Sequence, residues 1–204
     1  MIPANEALQR LKDGNRQFVA ERGGGNGQIS ESRRRELVTG QEPFAIILGC
    51  SDSRVPAEIV FDQGLGDLFV IRVAGNIVAP SQIDSIEFSA ARHQNRLVVV
   101  LGHSQCGAIL ATIEELSRPS EDQSRSLRSI VDRVRPSVEA LMDTEIANNP
   151  DELVRRAVRN NIRMSVNQLR RGSKVLEHLI EHEGLRIVGA EYSLETGIVE
   201  FLDG

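Results

Sequence analysis

Five short segments of this chain are apolar almost without interruption: FAIILGC (44–50), DLFVIRVAGN (67–76), RLVVVLGH (96–103), RIVGAEY (186–192) and IVEFL (198–202). Each has about the length of a β-strand, and none alternates apolar with polar residues. A strand with one wet face alternates. A continuous apolar run fits a strand buried on both faces, as in a parallel sheet covered by helices on either side. Helical patterns lie between the runs, at about 56–62, 81–94, 106–117, 123–147 and 151–183. Strands alternating with helices predict an α/β fold, a mostly parallel central sheet of about five strands flanked by helices. Only the turn SLETG (193–197) separates the last two strands, so the C-terminal one is expected as an antiparallel edge.

Ahead of the first strand, residues 4–20 place Ala7, Leu8, Leu11, Phe18 and Val19 at helical spacing, with Asn5 as N-cap and Gly14 as a weak point. Residues 21–30, with Gly23, Gly24, Gly25 and Gly27, read as a loop. Residues 31–39 read as a short helix that Gly40 ends. No repeat or linker divides the chain, and 204 residues suit one hydrophobic core. The expectation is a single domain over 1–204, with an N-terminal helical arm at 1–40 and an α/β core at 41–204. A formal charge of −5 argues against bulk attraction to nucleic acid or anionic membrane. No apolar run approaches the ~20 residues of a membrane helix. Residues Met1 to Phe18 lack the layout of a signal peptide, so a cytoplasmic protein is expected.

The two cysteines stand in unusual places. Cys50 closes the first apolar run, His103 closes the third, and Cys106 follows at the start of a helix. In open α/β sheets, ligands bind beyond the carboxyl ends of the strands, where strand order reverses. If strands one and three are neighbours, the two thiols and the imidazole converge there. Two sulfurs and one nitrogen suit zinc, and three protein ligands leave a fourth position open, as in catalytic sites. On spacing alone, a buried thiol and a core histidine remain an equal reading. The segment after Cys50 shifts the balance. Asp52 stands two residues from a candidate ligand, and Arg54 two further on can hold its carboxylate in a bidentate pair.

At this point a resemblance becomes specific. CSDSRVP (50–56), LFVIRVAGN (68–76) and GHSQCGA (102–108) resemble the diagnostic segments of β-class carbonic anhydrases. The likeness runs from NEALQRLKDGNRQF (5–18) to IVGAEYSLETGIVEFL (187–202), departing only near 21–30 and 118–150. It implies reversible hydration of carbon dioxide to bicarbonate and a proton by hydroxide generated at one zinc ion per subunit. It implies Cys50, His103 and Cys106 as ligands and Asp52 with Arg54 as catalytic dyad. It also implies substrate contacts from Gln41, Phe69, Phe88 and Gly107, with Gln41 reaching across a dimer interface as in plant-type members. The family assembles as homodimers or dimers of dimers, with N-terminal helices wrapping the partner; without one, the apolar stripe of residues 4–20 would be exposed. Some bacterial members carry a regulatory bicarbonate site of Trp, Arg and Tyr. Arg72 and Tyr192 match two of its positions, but Ile47 stands at the third and the chain has no tryptophan, so that site is not expected. A carbon disulfide or carbonyl sulfide hydrolase shares the same metal residues. A non-catalytic zinc or bicarbonate scaffold would have no use for Asp52, Arg54 and Gln41.

Three other motifs compete. His178–His182 fits HxxEH, but only a strand–turn–strand follows, with no helix for a third ligand. GHSQC (102–106) begins like a nucleophile elbow, yet ends in Cys rather than Gly, with no Asp and His in hydrolase order. Arginines 155, 156, 159, 163, 170 and 171 read as the solvated face of a helix whose other face, Val154, Val158, Ile162, Val166 and Leu169, is buried.

Overall fold

The computed structural model describes residues 2–21, 30–118 and 127–202. The core of the expected glycine loop and the first residues of the expected 123–147 helix lie outside them. The strands are β1 (Ala45–Gly49), β2 (Leu68–Arg72), β3 (Leu97–His103), β4 (Arg186–Tyr192) and β5 (Val199–Phe201). They form one sheet in the order β2-β1-β3-β4-β5. β1 to β4 run parallel and β5 pairs antiparallel with β4, as the sequence predicts. The helices are α1 (Ala4–Val19), α2 (Glu31–Glu36), α3 (Ala57–Val60), α4 (Pro80–Arg92), α5 (Gly107–Leu116), α6 (Arg128–Met142), α7 (Pro150–Arg171) and α8 (Lys174–His182). Among the described residues, no helix is long and apolar enough to cross a membrane.

The two-residue period of a strand sorts the apolar runs onto two faces. Ile46, Leu48, Val98, Val100 and Ile187 pack with Ile86, Ile109, Val134, Val158, Ile162 and Leu176 from α4 to α8. Ala45, Ile47, Val99, Leu101, Val188 and Ala190 pack with Leu8, Leu11 and Phe61 beneath α1 and α3. Every residue of β1 and β3 is buried, which is why neither strand could tolerate polar alternation. Each such aliphatic side chain contributes about 1.5–3 kcal/mol when fully buried.

Five local expectations change. Pro3 precedes α1 as its N-cap, not Asn5, whose side-chain oxygen accepts instead from Arg186. The stripe of α1 is mostly covered: Ala7, Leu8 and Leu11 are buried against the chain's own sheet, and Val19 near its C-terminal end is exposed. The 151–183 pattern is two helices, because Ser173 is extended (φ −145°, ψ 125°) and its hydroxyl accepts from the Leu176 amide to start α8. Likewise the 31–39 helix tightens into a 3-10 turn at Leu37–Thr39, and the 123–147 pattern ends at Met142, with a separate 3-10 turn at Glu145–Asn148.

Gly14 is the reason α1 can lie so close. A Cβ there would stand 1.8 Å from the Phe61 carbonyl oxygen. The neighbouring Asn15 then bridges three segments: its Nδ2 donates to the carbonyls of Val60 (3.1 Å) and Gly197 (2.8 Å), and its Oδ1 accepts from the Val199 amide (2.9 Å). At an exposed helix position Gly→Ala stabilises by about 0.5–1 kcal/mol. Here the clash is with backbone, so Gly14→Ala is expected to destabilise by about 1–3 kcal/mol. A urea midpoint that rises in Gly14→Ala would show that α1 does not dock this way.

Candidate metal and catalytic site

Neighbouring parallel strands end on the same edge of a sheet. β1 and β3 are neighbours, and β2 and β4 leave them in opposite directions, so strand order reverses there. Cys50 follows β1, His103 ends β3, and Cys106 is the N-cap of α5. The return from His103 to Cys106 turns through Gln105, which adopts a left-handed φ of 53°. The Sγ of Cys50, the ring nitrogen of His103 and the Sγ of Cys106 all lie within 4.8 Å of one another, and all three residues are buried. Both cysteines are free thiols.

His103 Nδ1 is 2.9 Å from the Ser104 carbonyl oxygen, to which it donates as N–H. That contact leaves Nε2 as the lone-pair nitrogen, and Nε2 is buried without a hydrogen-bond partner. An orphaned buried acceptor is costly unless something binds it. Two free sulfurs at ion-sharing distance and one orphaned imidazole nitrogen fit zinc, whose bonds to nitrogen and sulfur are about 2.0–2.3 Å. The Cys106 hydrogen bond holds Cys50 well below the usual thiol range against the cost of burial, while the same bond and burial push Cys106 up. Burial opposes charge on His103, but the Cys50 sulfur outweighs it and raises the ring's pKa.

Beside this group lies a carboxylate held by three donors. Asp52 accepts from Arg54 Nε (Oδ1, 2.9 Å), Arg54 Nη2 (Oδ2, 2.7 Å) and the Arg54 backbone amide (Oδ1, 3.0 Å). The Arg54 side-chain bonds keep the Asp52 carboxyl well below the usual carboxylate range. Asp52 Oδ2 stands 3.9 Å from His103 Nε2. Arg54 also reaches the Gln105 carbonyl at 3.4 Å, tying the dyad to the metal loop.

Comparison with known proteins bears on this geometry. A family model described as "Carbonic anhydrase" matches residues 45–199. "Carbonic anhydrase 2" of Mycobacterium tuberculosis is 40% identical over 194 residues, covering 94% of this chain and 89% of that protein. The carbonic anhydrase of Mycolicibacterium smegmatis is 40% identical over 195 residues, covering 95% and 91%. Among solved structures, the β-carbonic anhydrase CafA of Aspergillus fumigatus superposes with a TM-score of 0.76 at 25% identity, covering 93% of this chain and 87% of that one.

The chain belongs to the β-class carbonic anhydrase family.

A fungal β-carbonic anhydrase from Sordaria macrospora, described as tetrameric, shares the fold at a TM-score of 0.75 and 23% identity over 94% of each chain. β-Carbonic anhydrases are zinc enzymes, and Cys50, His103 and Cys106 are positioned for that metal. The remaining sequence-predicted residues of this β-carbonic anhydrase divide into two sets. Gly107 begins α5 beside Cys106, and a Cβ there would meet nothing within 4 Å, so packing does not demand glycine and open room remains next to the ligand. Gln41 lies instead in an exposed groove with Leu37, Val38, Gly40, Leu65 and Gly66, among none of the metal residues. Phe69 and Phe88 pair at 6.2 Å between ring centroids, with His93 against both. Phe69 aligns with Ile46, four residues before Cys50, or roughly 13 Å back along the strand.

Arg72 does work that its sequence match did not suggest. Its Nε donates to the Cys50 carbonyl (3.0 Å) and its Nη2 to the Asp52 carbonyl (2.6 Å), so it clamps the loop that carries both ligand and dyad. Tyr192 packs against Phe18 at 6.5 Å. Ser104 is not poised as a nucleophile: its hydroxyl donates to Glu195 and accepts from the Leu194 amide. His178 and His182 stack with rings 24° from parallel, so their lone pairs run side by side rather than converge. Of the arginines on α7, Arg155 and Arg156 are paired with Glu152, and Arg159 with Glu191 and Glu200.

Proposed function

We propose that this β-carbonic anhydrase is an active carbonate dehydratase, interconverting carbon dioxide and bicarbonate, with Cys50, His103 and Cys106 holding one zinc ion. The observation that carries the reading is the orphaned His103 Nε2 facing two free, buried sulfurs beside an ionised Asp52. Bound zinc supplies an acid strong enough to make water a nucleophile near neutral pH. The chain's own groups do the rest. Asp52 accepts a hydrogen bond from the attacking water and so aims its lone pair at the substrate carbon. Arg54 keeps Asp52 ionised and fixed through its two-pronged contact. Gly107, exposed at the start of α5 beside Cys106, leaves that side of the metal residues open to a small neutral substrate. Stopped-flow assay of the purified protein with stoichiometric zinc at about pH 8.5 tests this. Rates no faster than buffer alone would remove the reading.

The active unit is a homodimer, in which a second copy brings Gln41, Phe69 and Phe88 to the cleft. Support comes from their placement away from this chain's own metal residues and from exposed apolar groups around them, Val38 at 82% and Phe88 at 56%. The helical segment within 1–40 then contributes to that contact, ahead of the 41–204 core. A fully active monomer in sedimentation velocity would contradict the dimer. Two unpaired buried thiols suit a reducing compartment, and we place the protein in the cytoplasm; recovery in the extracellular fraction of cells would oppose that placement.

A further inference from the structure

Asn161 and Ser165 sit one turn apart on the sheet-facing side of α7, among Val158, Ile162, Val166 and Leu169. They are 3% and 4% exposed. Polar groups buried in an aliphatic stripe destabilise a fold unless they are hydrogen-bonded. Both side chains reach the same turn, Ala74–Asn76. Asn161 Nδ2 donates to the Gly75 carbonyl at 2.7 Å, and Ser165 Oγ donates to the Asn76 carbonyl at 3.1 Å. The Gly75 carbonyl can only accept, so it sets the Asn161 amide with its NH2 toward the turn and its Oδ1 toward Ser137 Oγ of α6, which lies 3.5 Å from that oxygen and 3.2 Å from Met164 Sδ.

The turn they hold is one that glycine and asparagine adopt more readily than other residues. Gly75 (φ 69°) and Asn76 (φ 43°) are both left-handed, and a Cβ on Gly75 would lie 3.0 Å from that of Ala108. What the turn presents is the Gly75 amide, which donates to Cys50 Sγ at 3.4 Å. A chain with apolar residues at 161 and 165 would bury the same face of α7 and leave this turn unpinned.

We propose that Asn161 and Ser165 are positioning residues for the metal centre: by pinning two carbonyls of the 74–76 turn, they aim the Gly75 N–H at the Cys50 sulfur. The hydrogen bond orients the thiolate and withdraws charge from it, as partners of metal ligands do elsewhere. The inference rests on Cys50 being a zinc ligand, and its test separates the two claims.

Zinc affinity is measured by competition with a chromophoric chelator in the wild type, Ser165→Ala, Ser165→Thr, Asn161→Leu and Cys50→Ala. Cobalt-loaded samples report the thiolate-to-metal charge-transfer band. Ser165→Ala and Asn161→Leu are expected to lose about 10–100-fold in zinc affinity. Their cobalt band is expected to move to longer wavelength, because a sulfur without its N–H donor is easier to oxidise. Ser165→Thr, which keeps the hydroxyl, is expected to restore both readouts. If Asn161→Leu does not fold, Ser165→Ala carries the test alone. Wild-type affinity and an unmoved band in Ser165→Ala, with only a lowered melting temperature, would overturn the proposal and leave the pair as packing. Tight stoichiometric zinc in Cys50→Ala would instead overturn the ligand assignment beneath it.

Discussion

Cys106→Ala is expected to empty the metal centre and return carbon dioxide hydration to the uncatalysed rate. The sulfur is one of three donors, and its removal leaves only Cys50 and His103 to hold the ion. Alanine offers no lone pair, and with Cys106 only 2% exposed, little water reaches the position to replace it. Two ligands cannot retain zinc against a competing chelator, and His103 Nε2 stays orphaned. Without the metal nothing lowers the pKa of water in the cleft, so hydroxide there becomes scarce near neutral pH. The fold should survive, because Cys106 is one small member of a core cluster otherwise built from aliphatic side chains on both faces of the sheet. Elemental analysis after dialysis against a chelator should find zinc far below one equivalent, with an unchanged far-ultraviolet spectrum. Stoichiometric zinc in Cys106→Ala would show that the ion is held elsewhere.

The sheet was readable because short apolar runs bounded by turn residues have strand length, and burial on both faces, complete for β1 and β3, removes polar alternation. Each of the five apolar runs became a strand, and their ends moved by only a few residues. The ligand group was readable for a related reason. A cysteine and a histidine closing two such runs converge if the strands are neighbours, and β1 and β3 are. Asp52 and Arg54 were visible as a charged pair next to a candidate ligand, and they bond as expected.

What escaped the sequence depends on contacts between distant segments. Gly14 read as a defect in a helix, whereas the carbonyl of Phe61 occupies the space a side chain would need. Asn15, Asn161 and Ser165 looked like ordinary polar residues on amphipathic helices, yet each is buried and hydrogen-bonded to backbone far away in the chain. The signal available was their position: Asn161 and Ser165 interrupt the apolar face of α7 at its own four-residue spacing. The break between α7 and α8 was hidden because the amphipathic pattern continues across Ser173, whose capping role competes with helix propensity. Gln41 carried a family match, but the single chain keeps it in an exposed groove away from the metal residues, and only the proposed second copy would bring it to a cleft.

Asp52→Asn is expected to keep zinc and lose about 10²–10⁴-fold in turnover, the usual range for a positioned proton acceptor. The substitution preserves shape and removes charge, so it tests the carboxylate rather than the space it fills. Asp52 now accepts three hydrogen bonds from Arg54. An asparagine can satisfy the backbone amide with its oxygen, but its NH2 then faces a guanidinium that has only donors to offer. Arg54, already 54% exposed along its side chain, should swing into solvent, and the cleft loses both the aimed acceptor and the group that aims it. Zinc should stay, since Asp52 is not among the three clustered donors. Arg54→Lys gives the complementary result. Lysine keeps the charge but cannot form the two-pronged contact, so turnover should fall by less than in Asp52→Asn while metal content is again unchanged. A wild-type rate in zinc-loaded Asp52→Asn would mean that the attacking water needs no protein acceptor, and the pair beside Cys50 would then be only a surface ion pair that shapes the loop.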